Sequence, residues 1–321
     1  MRDFVFENNG TKIFCTAWED VDCPQGVILL VHDQGEYCHR YDDFAHFLNA
    51  NGYYVTALDL RGHGRTSGGY DHRGETEGDA FGDSVDDLYK LACLSLVAYR
   101  VPMAAIGVGY GATILLSYMQ KYGSQLVGAI LSSCSRYHFV SALIGSTITG
   151  TQAGFVDAHT PSVLVTNHLH KLADKPFADE KTRFAWISRD KSAVKEYVSD
   201  PFCGAQFTPS LAFHQSLFTA SLVLYSRNRI EKIPSALPIL VTSGDADPIS
   251  SMGKRATALA QLLQSYGKLR TQLKLYRGAR HDLLHETNRD EIYMDYLGFF
   301  DRCFGVDASI PSPEGVKYLE Q

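Results

Sequence analysis

Three short segments carry residues whose types and order could do chemistry together. The first is Met103-Ala-Ala-Ile-Gly-Val-Gly-Tyr-Gly-Ala-Thr-Ile-Leu-Leu, an apolar run, a glycine-rich turn and a second apolar run of helical character. The second, Val241-Thr-Ser-Gly-Asp-Ala-Asp-Pro, places Asp247 just past an apolar run. The third, Leu275-Tyr-Arg-Gly-Ala-Arg-His-Asp, places His281 just past another. An acid that accepts from an imidazole fixes its tautomer and orientation, and the imidazole can then take a proton from a nucleophile. Turn, acid, histidine is one of the chain orders in which such a set is built. Taken singly, Asp247 reads as a helix N-terminal acid and His281 as a hydrogen-bonded loop residue. Their joint order and spacing make them a candidate pair.

Gly107 and Gly111 have the spacing of the G-x-S-x-G turn, which presents a nucleophile at a strained tip ahead of a helix. The tip here is Gly109, which has no side chain. Glycine tolerates that backbone better than serine does, so the turn can survive without its hydroxyl. The same letters, Gly107-x-Gly109-x-x-Ala112, also fit a dinucleotide fingerprint. That alternative wants an acid at the end of the next strand, and the next strand ends Leu131-Ser-Ser-Cys. A plain glycine turn with no role beyond geometry is the third reading.

The loop Val31-His-Asp-Gln-Gly-Glu-Tyr is placed to give one backbone donor to an oxyanion, and the residue after the tip gives the other. The expected donors are the amides of Gln34 and Tyr110. Each such donor can be worth ~3 kcal/mol in an acyl-transfer transition state. Asp33 is an awkward neighbour, because a carboxylate repels an oxyanion. The tip is therefore expected to be bare backbone, facing a histidine that has nothing to deprotonate. Ser132, Ser133 and Cys134 are the candidates for a displaced nucleophile, against a structural role.

These segments need a scaffold. Residues 4–6 and 12–18 flank Asn-Asn-Gly, a hairpin signal. Short apolar runs at 27–31, 53–60, 103–106, 127–131, 237–242 and 271–276 read as further strands, several buried on both faces. Helical spacing marks 41–51, 83–99, 112–122, 253–266 and 290–304. The pattern predicts an α/β fold: a mostly parallel eight-stranded sheet with helices on both faces. From about residue 135 to 232 the strand rhythm is lost, and the segment reads as a helical cap inserted after the sixth strand. The expected organisation is a core of residues 1–134 and 233–305, a cap of 135–232, and a loosely ordered tail of 306–321.

Composition narrows the function classes. The net charge of −6 and a hydrophobic fraction of 45% fit a globular protein without a basic footprint for nucleic acid or anionic lipid. No stretch approaches the ~20 apolar residues of a membrane span, so stable membrane anchoring is not expected. Seven cysteines without a CxxC read as free thiols in a reducing compartment, and the expected location is cytoplasmic. No cofactor or metal is expected; His168 and His170 stand two apart without further ligands and are expected to be exposed. The oligomeric state is open.

With these residues in view, the chain resembles bacterial members of the monoacylglycerol lipase and lysophospholipase branch of the α/β hydrolases, a serine aminopeptidase-type family. The likeness runs from about Phe4 to Phe304. It includes Asp59-Leu-Arg-Gly-His-Gly-Arg-Thr-Ser-Gly, Gly244-Asp-Ala-Asp-Pro and Tyr276-Arg-Gly-Ala-Arg-His. It also includes Trp186-Ile-Ser-Arg-Asp and Asp200-Pro-Phe-Cys-Gly in the cap. The resemblance implies the α/β-hydrolase fold, carboxylic-ester chemistry on a small ester or acyl ligand, and a cap that shapes an apolar acyl site. It implies Asp247 as triad acid, His281 as base, Gln34 and Tyr110 as oxyanion donors, and Gly109 at the nucleophile position. Three departures cluster there: Gly109 for serine, Val108 for the common histidine, and Asp33 for the glycine of an H-G pair. They point to a degenerate hydrolase that binds without acyl-enzyme turnover. The alternatives are a hydrolase in which His281 and Asp247 activate water or a displaced nucleophile acts, and a nucleotide-binding protein using the 107–112 turn.

Overall fold

Val27, Leu29 and Val31 pack into one apolar core and Ile28 and Leu30 into another, because successive side chains of a strand point to opposite faces. That double burial places their strand at the centre of a sheet covered on both sides. In the computed structural model, which describes residues 1–134, 139–180, 182–204 and 206–306, the sheet has eight strands. They are β1 (Arg2–Asn8), β2 (Thr11–Trp18), β3 (Gly26–Val31), β4 (Tyr53–Leu58), β5 (Met103–Val108), β6 (Ala129–Ser132), β7 (Ile239–Gly244) and β8 (Thr271–Tyr276). Their order is β1-β2-β4-β3-β5-β6-β7-β8. β2 runs antiparallel to both β1 and β4, and every other pair is parallel. Asn9 and Gly10 turn the first hairpin with φ of 48° and 74°, the left-handed pair that a two-residue loop requires.

The helices are α1 (Asp42–Ala50), α2 (Ala80–Tyr99), α3 (Tyr110–Tyr122), α4 (Phe139–Ala153), α5 (Val163–Asp174), α6 (Lys191–Ser199), α7 (Leu211–Leu224), α8 (Arg227–Ile230), α9 (Lys254–Ser265) and α10 (Arg289–Phe304). The chain leaves the sheet after β6 and rejoins it at β7, and α4 to α8 lie in between. Backbone hydrogen bonds fix this excursion to the rest, among them Ser210 N–H to Gly74 O (2.8 Å) and Asp282 N–H to Ile187 O (2.8 Å). No helix among the described residues is long and apolar enough to cross a membrane. The expected tail lies outside the described residues from 307 onward, as do residues 135–138 at the start of the expected cap.

Sequence periodicity finds all eight strands, with shifted ends. β6 begins two residues later than 127, although Val127 N–H already donates to Met103 O at the start of β5. α3 begins at Tyr110 rather than 112, because the glycine turn runs into the helix without a spacer.

Candidate active site

β5 ends at Val108, Gly109 turns with φ +50° and ψ −110°, and α3 starts at the next residue. A side chain strains in that backbone region. The flanking glycines are forced by approach: a Cβ on Gly107 would lie 2.5 Å from Gly111 O, and one on Gly111 would lie 2.3 Å from Val31 O. Gly111 thus lets the first turn of α3 rest against the end of β3, which brings the loop after β3 over the tip.

That loop carries Asp33, and its carboxylate occupies the space over Gly109. Oδ1 accepts from Tyr110 N–H at 2.6 Å and from Gln34 N–H at 2.7 Å. Oδ2 lies 2.9 Å from His281 Nε2. An ideal Cβ on Gly109 would fall 2.1 Å from Asp33 Oδ1 and 2.2 Å from its carboxyl carbon. The histidine therefore does not face empty backbone, as the sequence led us to expect. A carboxylate has moved in from the neighbouring loop, and the two amides expected to serve an oxyanion already hold an anion. The positive end of α3 adds to its stability there.

On its other side, His281 Nδ1 lies 3.1 Å from Asp247 Oδ2, at an ion-pair distance but off the line of a good hydrogen bond. Asp247 is fully buried, and its Oδ1 accepts from Ile249 N–H at 2.8 Å. Burial opposes a charge on His281, yet Asp247 and Asp33 on either side hold its pKa well above the usual histidine value. The two flanking carboxylates thus favour the protonated form of the ring. Its backbone is pinned as well: His281 N–H donates to Trp186 O at 3.2 Å, and the two rings sit 5.3 Å apart.

The other nucleophile candidates are engaged elsewhere. Ser132 Oγ pairs with Tyr296 Oη (2.9 Å), and Ser133 Oγ donates to the backbone oxygen of His281. Cys134 is fully buried, and burial pushes its thiol up to about 12. The dinucleotide reading of residues 107–112 fares poorly on geometry, since Asp33 already sits on the Tyr110 amide where a pyrophosphate would have to lie.

A cavity of about 240 Å³ opens over this cluster. Asp33, Gln34, Gly109, Tyr110 and His281 form its floor, and Leu169, Trp186, Leu217 and Phe218 contribute apolar wall. His168 is exposed as expected, but His170 is half-buried and lines the cavity. Residues two apart on a helix face different sides. Burial, then Arg183, push the pKa of His170 down to about 4.

No motif marks Arg40. Its guanidinium donates to Glu36 Oε1 (2.9 Å) and Asp282 Oδ2 (2.7 Å), all three side chains being almost fully buried. It ties the loop that carries Asp33 to the loop that carries His281.

A family model described as serine aminopeptidase, S33 (Hydrolase_4) matches residues 22–288. The chain belongs to that family. It is an α/β hydrolase of the monoacylglycerol lipase type. Among curated relatives, a monoglyceride lipase homolog of monkeypox virus is 25% identical, covering 88% of this chain and 91% of its own. The monoglyceride lipase of Mus musculus is 27% identical, covering 87% and 82%. Of solved structures, a thermostable carboxyl esterase from Bacillus coagulans superposes with a TM-score of 0.87 at 23% identity, covering 94% of this chain and 98% of that one. A soluble variant of the Saccharomyces cerevisiae monoglyceride lipase, in complex with a substrate analog, gives 0.75 at 22%, with 94% of each chain covered. Both structural likenesses speak to the fold.

Proposed function

We propose that this S33-family chain holds a neutral, single-chain ester or acyl ligand in its cavity and does not turn over carboxylic esters through an acyl-enzyme. Gly109 stands in the nucleophile position, with Asp247 as the acid and His281 as the histidine of the set. The observation that carries the reading is the Asp33 carboxylate bonded to the amides of Gln34 and Tyr110 and to His281. Acyl transfer needs those amides for a developing oxyanion and needs a neutral imidazole. Here the amides are filled, and the carboxylates on either side favour the protonated imidazole. The same charge state works against water activation by His281 and Asp247. A carboxylate on the floor also repels a fatty-acid anion, which leaves neutral ligands with an apolar chain as the best match for the wall.

Trp186 is one of two tryptophans and lines the cavity, so it reports on binding. In a Trp18→Phe background, titration with monodecanoylglycerol is expected to quench the remaining fluorescence saturably, and decanoate much less. p-Nitrophenyl butyrate should give no burst, and a fluorophosphonate probe should leave the protein unlabelled. Labelling, or a nitrophenol burst matching the protein concentration, sinks the reading.

A further inference from the structure

The cavity floor holds an anionic oxygen that the ester reading leaves without a task. A carboxylate is a poor nucleophile toward an ester. The alkoxide it would have to expel is a far stronger base than the carboxylate, so the adduct collapses backward. Toward a saturated carbon bearing a weakly basic leaving group, the same carboxylate forms a stable ester, a known route of covalent catalysis. Hydrolysing that ester then requires two donors on the carbonyl oxygen and a histidine beside it. Asp33 has both: Oδ1 on the amides of Gln34 and Tyr110, and Oδ2 at 2.9 Å from His281.

We propose that Asp33 is the nucleophile of a two-step hydrolysis at saturated carbon, acting on an apolar chain that ends in a halide. In the first step Oδ2 attacks the terminal carbon. A carbon–oxygen bond forms, the carbon–halogen bond breaks, and halide leaves with the electron pair. Asp33 is now a neutral alkyl ester. His281, left with Asp247 as its one anionic partner, releases its proton to solvent. In the second step His281 Nε2 takes a proton from water while the water oxygen bonds to the Asp33 carboxyl carbon. The oxyanion resides on Oδ1, on the two amides. Collapse expels the alkoxide, which takes the proton from His281 and leaves as alcohol. The new Asp33 carboxyl group passes its own proton to His281, which restores the starting pair. The net change is alkyl halide plus water to alcohol, halide and a proton. Trp186 lines the same cavity, and its buried indole N–H has no partner among the described residues. Such a donor suits a departing anion.

The proposal shares the cavity with the ligand-binding reading but not its chemistry. The test uses the full chain with 1-bromohexane. Bromide release is expected, falling on the order of 10³-fold or more in Asp33→Asn. His281→Gln should stop after the first step and carry one hexyl group on the peptide containing Asp33. In a single turnover in oxygen-18 water, the label should enter the Asp33 carboxyl group and the hexanol should stay unlabelled. Label in the first-turnover hexanol, an unalkylated His281→Gln protein, or equal bromide release by the native chain and folded Asp33→Asn each overturns it. Monodecanoylglycerol binding without bromide release overturns this proposal and leaves the earlier reading standing. Bromide release without such binding does the reverse.

Discussion

At the scale of single residues, Gly109 and Asp33 act as one unit, and the clearest prediction follows from their shared volume. Gly109→Ser alone is expected to give no esterase, because its Cβ would fall 2.1 Å from Asp33 Oδ1 at a backbone φ of +50°. It should also lower stability by about 1–3 kcal/mol, read from a urea melt. Asp33→Gly combined with Gly109→Ser clears the space and frees both amides. That double variant should hydrolyse p-nitrophenyl butyrate at least about 10²-fold faster than either single variant. Equal inactivity of all three would show that the rest of the set is unfit for acyl transfer. Asp247, His281 and Gln34 were legible because each sits in a short loop just past a strand, and Tyr110 because it opens the helix directly after the turn. Asp33 was legible only as a charge near the oxyanion site. Its side-chain direction depends on how closely β3 approaches α3, which is set by Gly111 meeting Val31 and cannot be read along the chain.

At the scale of elements, the loops after β3 and β8 must be held in register for Asp33 to meet His281. Arg40 does this by pairing with Glu36 on one loop and Asp282 on the other. Arg40→Ala would remove the cation shared by two buried carboxylates, leaving Asp282 with His285 and Glu36 with the Tyr41 hydroxyl; breaking a buried pair in this way typically costs about 3–5 kcal/mol. The measurement is the urea midpoint at neutral pH, and a loss under about 1 kcal/mol would show that the loops are held by other means. The strands and helices themselves were readable from periodicity, since central strands buried on both faces leave short continuous apolar runs. What could not be read was how residues 186 and 187 pair with the histidine loop. That contact joins segments with no shared pattern, through backbone atoms that any residue carries.

At the scale of the whole molecule, buried charge sets a pH window for stability. His281 has a folded pKa raised above its unfolded value near 6.5. Its contribution is fully present below that value and is lost as pH rises through the folded pKa. Burial pushes Glu36 up to about 7, partly offset by Arg40, so it acts in the same direction. Asp282 has the opposite sign. Burial opposes its ionisation, but His285 and Arg40 hold its carboxyl well below the usual range. Its contribution is present above the unfolded carboxylate pKa near 4 and is lost in stronger acid. Unfolding free energy from urea melts should therefore peak in mildly acidic solution, between about pH 4 and pH 7, and decline on the alkaline side. His281→Gln should flatten that alkaline decline. A stability that rises steadily from neutral to alkaline pH would contradict the charged imidazole.

The overlap of the Gly109 and Asp33 sites also constrains history. In this backbone a hydroxymethyl group at the tip and a carboxylate beside it exclude each other, so the tip was emptied before, or together with, the arrival of the aspartate. Return is barred in one order: a serine restored first collides with Asp33, so the carboxylate has to leave before the hydroxyl comes back. A lineage that crossed this point regains its hydroxyl only after giving up the aspartate, and until then selection works with the carboxylate it has.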